Sequence, residues 1–323
     1  MSASTAKRAR VSVIIPTYNS AAYIGEAIES VLAQTRPVDE IVVVDDGSTD
    51  QTALVAARYA SAGVRYIYQK NQGPSVARNR GIAETSGEWL SFLDSDDIWL
   101  LDKIARQEDY LETHPDIGLV SGSAWWWDVV SGKRWVVHRG IGPRQNIAHE
   151  IAVRNVIGNT SLVLLRRFVL QKSGLFNPTV HWGEDREFWI RVVSHTKVGF
   201  IPEPLIIYRR HPASNSRTIH WEQFKVLFAT SYHAVQQIQP AWQRPFLLAR
   251  AWSNIELHRA NYLLKQNSSR FQQLWHAGCA FLAYPFEDAS RKVKVVLRAL
   301  IGNILYDYVH KSKRQFNEDI AND

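Results

Sequence analysis

Four short apolar runs, each separated from the next by a helical stretch, constrain the fold of this chain more than any other feature. VSVIIP (11–16), EIVVVD (40–45), VRYIYQK (64–70) and EWLSFL (88–93) are rich in β-branched and aromatic residues. The first two lack polar alternation, as expected of strands buried on both faces. Between them lie three helix signals. Ser20 is placed to cap a helix with Ile24, Ile28, Val31 and Leu32 on one face, TDQTALVAARYASAG runs to a stop at Gly63, and GPSVARNRGIAETSG reads as a short capped helix. Strands joined by helices of this length pair in parallel through right-handed crossovers. The expectation is an α/β sheet covered on both sides.

The polar residues that close these strands carry the functional signal. PTYNS, DDGSTD and DSDD each follow a predicted strand, and ligands of open parallel sheets bind beyond the carboxyl ends of the strands. Strand-to-helix turns need Asp, Ser and Asn in any case, so one such cluster says little, whereas three at one edge point to a site. Asp94-Ser95-Asp96 turns two carboxylates the same way along extended backbone. Such a pair suits Mg²⁺ or Mn²⁺, which keep waters and bind substrate phosphates. Asp97 is expected to cap the following turn. Glu184-Asp185 opens a helix further on, either as favourable charge at a helix N-terminus or as a general base whose neighbour holds its pKa up. Arg78-Asn79-Arg80 offers cations to a phosphate, or is plain helix surface.

Composition narrows the classes. A single cysteine, Cys279, excludes an intramolecular disulfide framework and fits a reducing compartment. The basic N-terminal stretch leads into a strand rather than a long apolar segment, which does not read as a signal peptide, and no apolar run is long enough to predict a membrane span. The net charge of +7 suits polyanions, but no nucleic-acid module is recognisable, so nucleic acid is not an expected partner. Residues 1–10 read as a disordered tail, 11–120 as the α/β half, 121–219 as a second half and 220–323 as mainly helical. The second half opens with a hairpin around Ser131-Gly132, whose Trp125, Trp126 and Trp127 either offer stacking faces to a ligand or fill the hairpin core. VGFIPEPLIIYRRH reads as strand on either side of a proline-rich turn. Near the end, Val293, Val296, Leu297, Leu300, Ile301, Ile304 and Leu305 form one apolar stripe with Arg291, Lys292, Lys294 and Arg298 off it. That helix either packs on the main domain or lies on an anionic membrane.

VSVIIPTYN, IVVVDDGSTD, GPSVARNRGI, GEWLSFLDSDD, GEDREFWIRV and YRRH stand in an order and spacing that resembles family 2 glycosyltransferases, over residues 10–215. The resemblance implies the GT-A fold: α/β, a Rossmann-like, mostly parallel sheet flanked by helices, here with a helical C-terminal extension. It implies transfer of a sugar from a nucleotide diphosphate donor, a UDP-sugar foremost, to a glycan or lipid-linked acceptor, with inversion. Pro16, Thr17, Tyr18 and Asn19 would wrap the nucleoside, Asp46 would read the base edge and Asp45 order its loop. Arg78 would lie near the base or phosphates, His211 near the diphosphate or metal, and Ser95 within the nucleotide-sugar site. Mg²⁺ or Mn²⁺ would sit at Asp96, with Asp94 completing the pair. Asp185 would be the catalytic base and Glu184 would orient it or touch the acceptor. The Gln-x-x-Arg-Trp element of processive synthases is absent, which implies addition of one or a few sugars. A cytoplasmic setting in bacterial surface polysaccharide assembly follows, with the basic C-terminal helix offering peripheral contact to the inner membrane face. A nucleotidyltransferase would need a glycine-rich loop where PTYNS stands. A silent nucleotide-sugar-binding protein would be marked by loss of one carboxylate pair, and both are present.

Overall fold

A computed structural model of the chain describes residues 9–138, 140, 146–181, 183–212, 221–265, 269–283, 292–293 and 295–296. Strand β1 (Val11–Thr17) is buried at every position, as its unbroken apolar run requires. It lies between β2 (Glu40–Asp45) and β4 (Trp89–Phe92), parallel to both, and β3 (Val64–Tyr68) extends the sheet from β2, also in parallel. Helices α1 (Ile24–Leu32), α2 (Thr52–Ala57) and α3 (Pro74–Ala83) make the crossovers. Alternation along β1 divides the core. Val11, Val13 and Ile15 join one apolar cluster with Ile24 and Ile28 of α1, while Ile14 joins another with Leu90 and Phe92 of β4. The sheet is therefore buried on both sides.

Local details depart from the sequence reading. Ser20 does not cap α1 through its side chain; its carbonyl instead accepts the Tyr23 and Ile24 N–H groups, both at 2.9 Å. Leu32 falls off the buried face and is 37% exposed. The second helix ends at Ala57, and a 3₁₀ turn at Ala60–Ala62 completes the passage to Gly63.

Beyond β4 the chain continues with β5 (Ile98–Trp99), α4 (Lys103–Thr113), β6 (Ile117–Asp128), β7 (Arg134–Val137), α5 (Ile147–Val153), β8 (Leu164–Arg166), α6 (Leu170–Ser173), α7 (Glu184–Val193) and β9 (Lys197–Arg210). Strand order is β3-β2-β1-β4-β8-β6-β9-β5, with β7 on β6. β8 runs antiparallel to both of its neighbours, whereas β6 and β9 are parallel. The predicted hairpin is present, pairing Trp125 with Val136 and Trp127 with Arg134. The proline-rich turn expected within 198–211 is instead an irregularity inside the single strand β9. That strand advances from Ile201 to Ile206 while β6 advances only from Gly122 to Ala124. Pro202 and Pro204 lack an N–H, and the break in the ladder is where a strand tolerates them.

Met1–Ile151 with Asn155–Thr218 forms one compact unit, and Ala152–Arg154 with Ile219–Asp323 forms another. The second contains α8 (Trp221–Gln236), α9 (Arg244–Lys265) and α10 (Arg270–Ala283). Small residues, Ala260, Ala277 and Ala280, pack with Leu257 and Val295 in its core. Within it, His276 Nδ1 meets Glu256 Oε2 at 2.5 Å, both side chains buried. Among the described residues no helix is long and apolar enough to cross a membrane. Most of the predicted C-terminal stripe lies outside the described residues. Where it is described, Lys292 is buried and Val293 exposed, the reverse of the expected pattern.

Candidate functional site

Parallel pairing sets Thr17 level with Asp45, so the polar turns after β1 and β2 share one edge. Asn19 adopts a left-handed backbone (φ 48°), and its Oδ1 accepts the N–H groups of Thr49 (2.8 Å) and Asp50 (3.4 Å). Its own N–H donates to Ser48 Oγ at 2.9 Å. The PTYN and DGSTD turns are thereby joined. Pro16 and Thr17 are buried beneath them, and Tyr18 is 52% exposed. Among the described residues the buried Thr17 hydroxyl has no hydrogen-bond partner, nor has that of Ser75 in the first turn of α3.

The two aspartates of VVVDDGS each order a loop. Asp45 accepts the Ser48 N–H at 2.8 Å and the Tyr66 hydroxyl at 2.6 Å. Asp46 reaches to the segment before α3, accepting Gln69 Nε2 at 2.7 Å, Gln72 N–H at 2.9 Å and Gly73 N–H at 2.7 Å. Gly47, next in the chain, has φ 85°, and a Cβ there would stand 2.8 Å from the Asn71 nitrogen. Only glycine lets this turn lie against that loop.

The DSDD segment supplies three acids with three different fates. Asp94 Oδ1 accepts Arg78 Nη2 at 2.9 Å and the Thr160 hydroxyl at 3.1 Å. Asp96 Oδ2 meets His211 Nε2 at 3.0 Å, and the His211 ring lies 4.5 Å from that of Tyr23. Ser95 donates to Ser20 Oγ at 2.8 Å, tying this turn to the first. Asp97, expected only to cap a turn, is fully buried. It accepts Asn159 Nδ2 and Ser161 Oγ, both at 2.7 Å, and the Arg209 N–H at 3.2 Å. Burial, then the neighbouring Asp96 and Asp94, push its pKa well above the ordinary carboxylate range. Charge crowding in the triplet is thus relieved by holding the buried member towards its protonated form.

Arg78 connects this edge to α7. The reading of 78–80 as helix surface holds for Arg80, which is exposed and pairs with Glu84 at 2.7 Å, but not for Arg78. Arg78 is buried, its Nη1 donates to Glu184 Oε1 at 2.9 Å, and its guanidinium lies 5.4 Å from the Phe176 ring. Burial opposes its charge, but Asp94 and Glu184 together hold its pKa above the ordinary value. Asp185 follows Glu184 in the first turn of α7, after Gly183 at φ 72°. Its Oδ1 accepts the Arg186 N–H at 2.6 Å and its Oδ2 accepts Asn155 Nδ2 at 3.0 Å. Burial, then the charge of Glu184, raises its pKa to about 7. Part of its surface stays accessible, so it can meet a ligand as well as its protein neighbours.

Several contributors had no clear sequence signal. Asn155, Asn159, Thr160 and Ser161 supply donors to Asp94, Asp97 and Asp185. The polar GNTS stretch, 158–161, is the one local hint in the sequence. Arg209 donates to Glu26 at 2.7 Å, across a separation no local pattern betrays. For a metal, Asp94 Oδ2 and Asp96 Oδ1 have no protein partner among the described residues, and the two side chains are 27% and 29% exposed. Among the described residues no group of three acidic, histidine or cysteine side chains forms a ligand set. Two oxygen donors with an open side fit a hard divalent cation that completes its shell with water and phosphate oxygens.

Comparison with known proteins places the chain in a family and a fold. The family model described as Glycosyl transferase family 2 matches residues 12–174. An uncharacterized glycosyltransferase of Nostoc sp. is 34% identical over 315 residues, 90% of this chain and 94% of that protein. Glycosyltransferase GlyG of Streptococcus pneumoniae is 31% identical, covering 64% of this chain and 73% of its own length. An uncharacterized glycosyltransferase of Rickettsia felis is 33% identical over 64% of this chain, yet the match spans only 34% of that longer protein. Among solved structures, S. aureus TarS 1–349 in complex with UDP-GlcNAc has a TM-score of 0.62 at 19% identity, covering 95% of this chain and 92% of that one. The mannosyltransferase PcManGT from Pyrobaculum calidifontis, in complex with GDP-Man and Mn²⁺, has a TM-score of 0.59 at 21% identity, covering 94% and 83%. At these identities the likeness establishes a shared GT-A fold.

Proposed function

Because the chain belongs to glycosyl transferase family 2, we propose that it moves a sugar from a nucleotide diphosphate donor to a hydroxyl of a glycan or lipid-linked acceptor, with inversion. The observation that carries this reading is Asp185. It is a partly accessible carboxylate raised to about 7, at the far end of the network running from Asp94 through Arg78 to Glu184. A base must be ionised yet hold a proton strongly enough to take one from an alcohol, and a pKa near the working pH serves both needs. Asn155 fixes its Oδ2, and Glu184, held by Arg78, keeps its affinity for protons high. The acceptor hydroxyl proton passes to Asp185 as the oxygen attacks the anomeric carbon. A single displacement then needs no covalent enzyme nucleophile.

Tyr18 and the unpartnered hydroxyls of Thr17 and Ser75 support a nucleoside pocket on the other side. In this reading Asp46 holds the 69–73 loop at the base edge. The donor nucleotide is proposed to be a UDP, and the sugar is added once or a few times rather than processively. Asp94 and Asp96 would hold Mg²⁺ or Mn²⁺, which when bound neutralises charge on the departing diphosphate. His211 fixes the orientation of Asp96, and Ser95 ties its turn to the nucleoside wall. The reading places the enzyme in the cytoplasm, in surface polysaccharide assembly, with peripheral contact at the inner membrane face.

The decisive experiment is a panel of nucleotide sugars assayed for hydrolysis and transfer, with Asp185→Asn beside the wild type. Turnover is expected to fall by about 10³-fold or more, while UDP affinity and circular dichroism stay unchanged. Full activity in that variant would remove Asp185 as the base. Nucleotide binding without turnover of any donor would identify a silent binding protein instead.

A further inference from the structure

We infer that the outer face of the β6–β7 hairpin is an acceptor subsite for an acidic carbohydrate, one bearing carboxylate or phosphate groups; the inference rests on the transferase reading above. Three strands present one row of side chains. Trp127 lies opposite Arg134 on β7 and opposite Arg209 on β9, and directly opposed residues share a face of the sheet. The guanidinium of Arg134 stands 4.5 Å from the Trp127 ring and that of Arg209 5.6 Å. Two residues along the same face is Trp125, paired with Val136 and Ile207 and 38% exposed. The opposite face, with Ala124, Trp126, Ile206 and Tyr208, packs on the main core. The Trp125 face is therefore not needed for the core.

The row leads into the candidate active site. Arg209 lies 4.9 Å from the Tyr23 ring, Tyr23 lies 4.5 Å from His211, and His211 meets Asp96. An occupant on the hairpin is thus connected by successive side-chain contacts to the donor-side carboxylates. Its chemistry follows from the residue types. An indole face buries the apolar face of a pyranose, and a guanidinium binds carboxylate or phosphate through paired N–H groups. Arg134 is exposed and has no hydrogen bond or ion pair among the described residues. Trp127 holds its guanidinium plane while leaving its N–H groups open. Arg209 is instead committed to Glu26, so of the two arginines beside Trp127 it is Arg134 that is available to an incoming anion.

The test is calorimetry on the full chain with trigalacturonate as the acidic probe and maltotriose as the neutral one. Trigalacturonate is expected to bind about tenfold or more tightly than maltotriose, and added salt should weaken only the acidic probe. Arg134→Ala should erase most of that preference, Arg134→Lys should restore part of it, and Trp125→Ala should weaken both sugars. UDP affinity in these surface variants is expected to be unchanged. Equal affinity for the two probes, binding of neither, or an unaltered preference in Arg134→Ala would each overturn the assignment. Because probe binding needs no turnover, its failure is distinguishable from failure of the catalytic reading, which Asp185→Asn tests.

Discussion

Replacing Arg78 by glutamine tests whether the network from Asp94 to Asp185 is electrostatic as well as structural. Arg78 is buried between Asp94 and Glu184, each at 2.9 Å. Removing one partner from a buried ion pair costs about 3–5 kcal/mol, because the remaining charge is left uncompensated. Here Asp94 is 27% and Glu184 15% exposed, so both can be partly rehydrated, and about 3 kcal/mol is the expected loss. For a unit of this size that lowers the thermal midpoint by roughly 6–12 °C. The sharper readout is kinetic. The charge of Arg78 pulls the pKa of Asp185 down against burial and Glu184, so its loss moves that pKa above about 7. A base acts in its ionised form, so the acidic limb of the kcat profile should move to higher pH. The first unit of that movement cuts the ionised fraction at pH 7 about fivefold, and each further unit about tenfold. Arg78→Lys retains the charge and should keep the limb near its wild-type position, with partial recovery of stability. An unmoved limb in Arg78→Gln, measured where the variant remains folded, would refute the electrostatic link to Asp185.

Two further predictions use groups on either side of this network. Lys103 is fully buried, donates to Gln107 at 2.9 Å and Ser91 at 3.0 Å, and burial pushes its pKa well below the usual lysine range. The folded state therefore binds fewer protons than the unfolded one above that lowered pKa, and stability rises with pH up to the unfolded value near 10.5. Lys103→Met should flatten this slope in thermal melts between pH 7 and 10, and an unchanged slope would show that Lys103 does not cause it. Chelation by EDTA should abolish turnover and added Mn²⁺ restore it, and Asp96→Asn should raise the Mn²⁺ concentration for half-activity by about tenfold or more. Full activity in EDTA would rule out the proposed metal.

The strands and crossovers of the first half were legible because their signals are local: β-branched runs, glycine stops and polar turns. The sheet edge carrying Thr17, Asp45 and Asp94 followed from topology alone. What sequence reading missed depends on distant partners. Arg78 resembles surface until Glu184, 106 residues away, is brought to it. Asp97 resembles a turn cap until Asn159, Ser161 and the Arg209 backbone close around it. In β9 the local rule that proline breaks strands was outweighed by pairing with β6 on both sides of the irregularity. Lys103 carries no mark of burial in its surroundings, since a lysine at a helix start reads as solvated.

The irregularity in β9 also has an arithmetic. Between Ile201 and Ile206 the strand takes five steps against two on β6, an excess of three. Side chains alternate sides at every step, so an odd excess exchanges the two sides of the strand beyond it. That parity brings Arg209 level with Trp127 and leaves Tyr208 with Trp126. With one residue fewer between Ile201 and Ile206 and the pairing beyond it kept, the excess would be even and the sides would no longer be exchanged. The row that leads from the hairpin to His211 is in this sense counted out by the proline-bearing segment that precedes it on the strand.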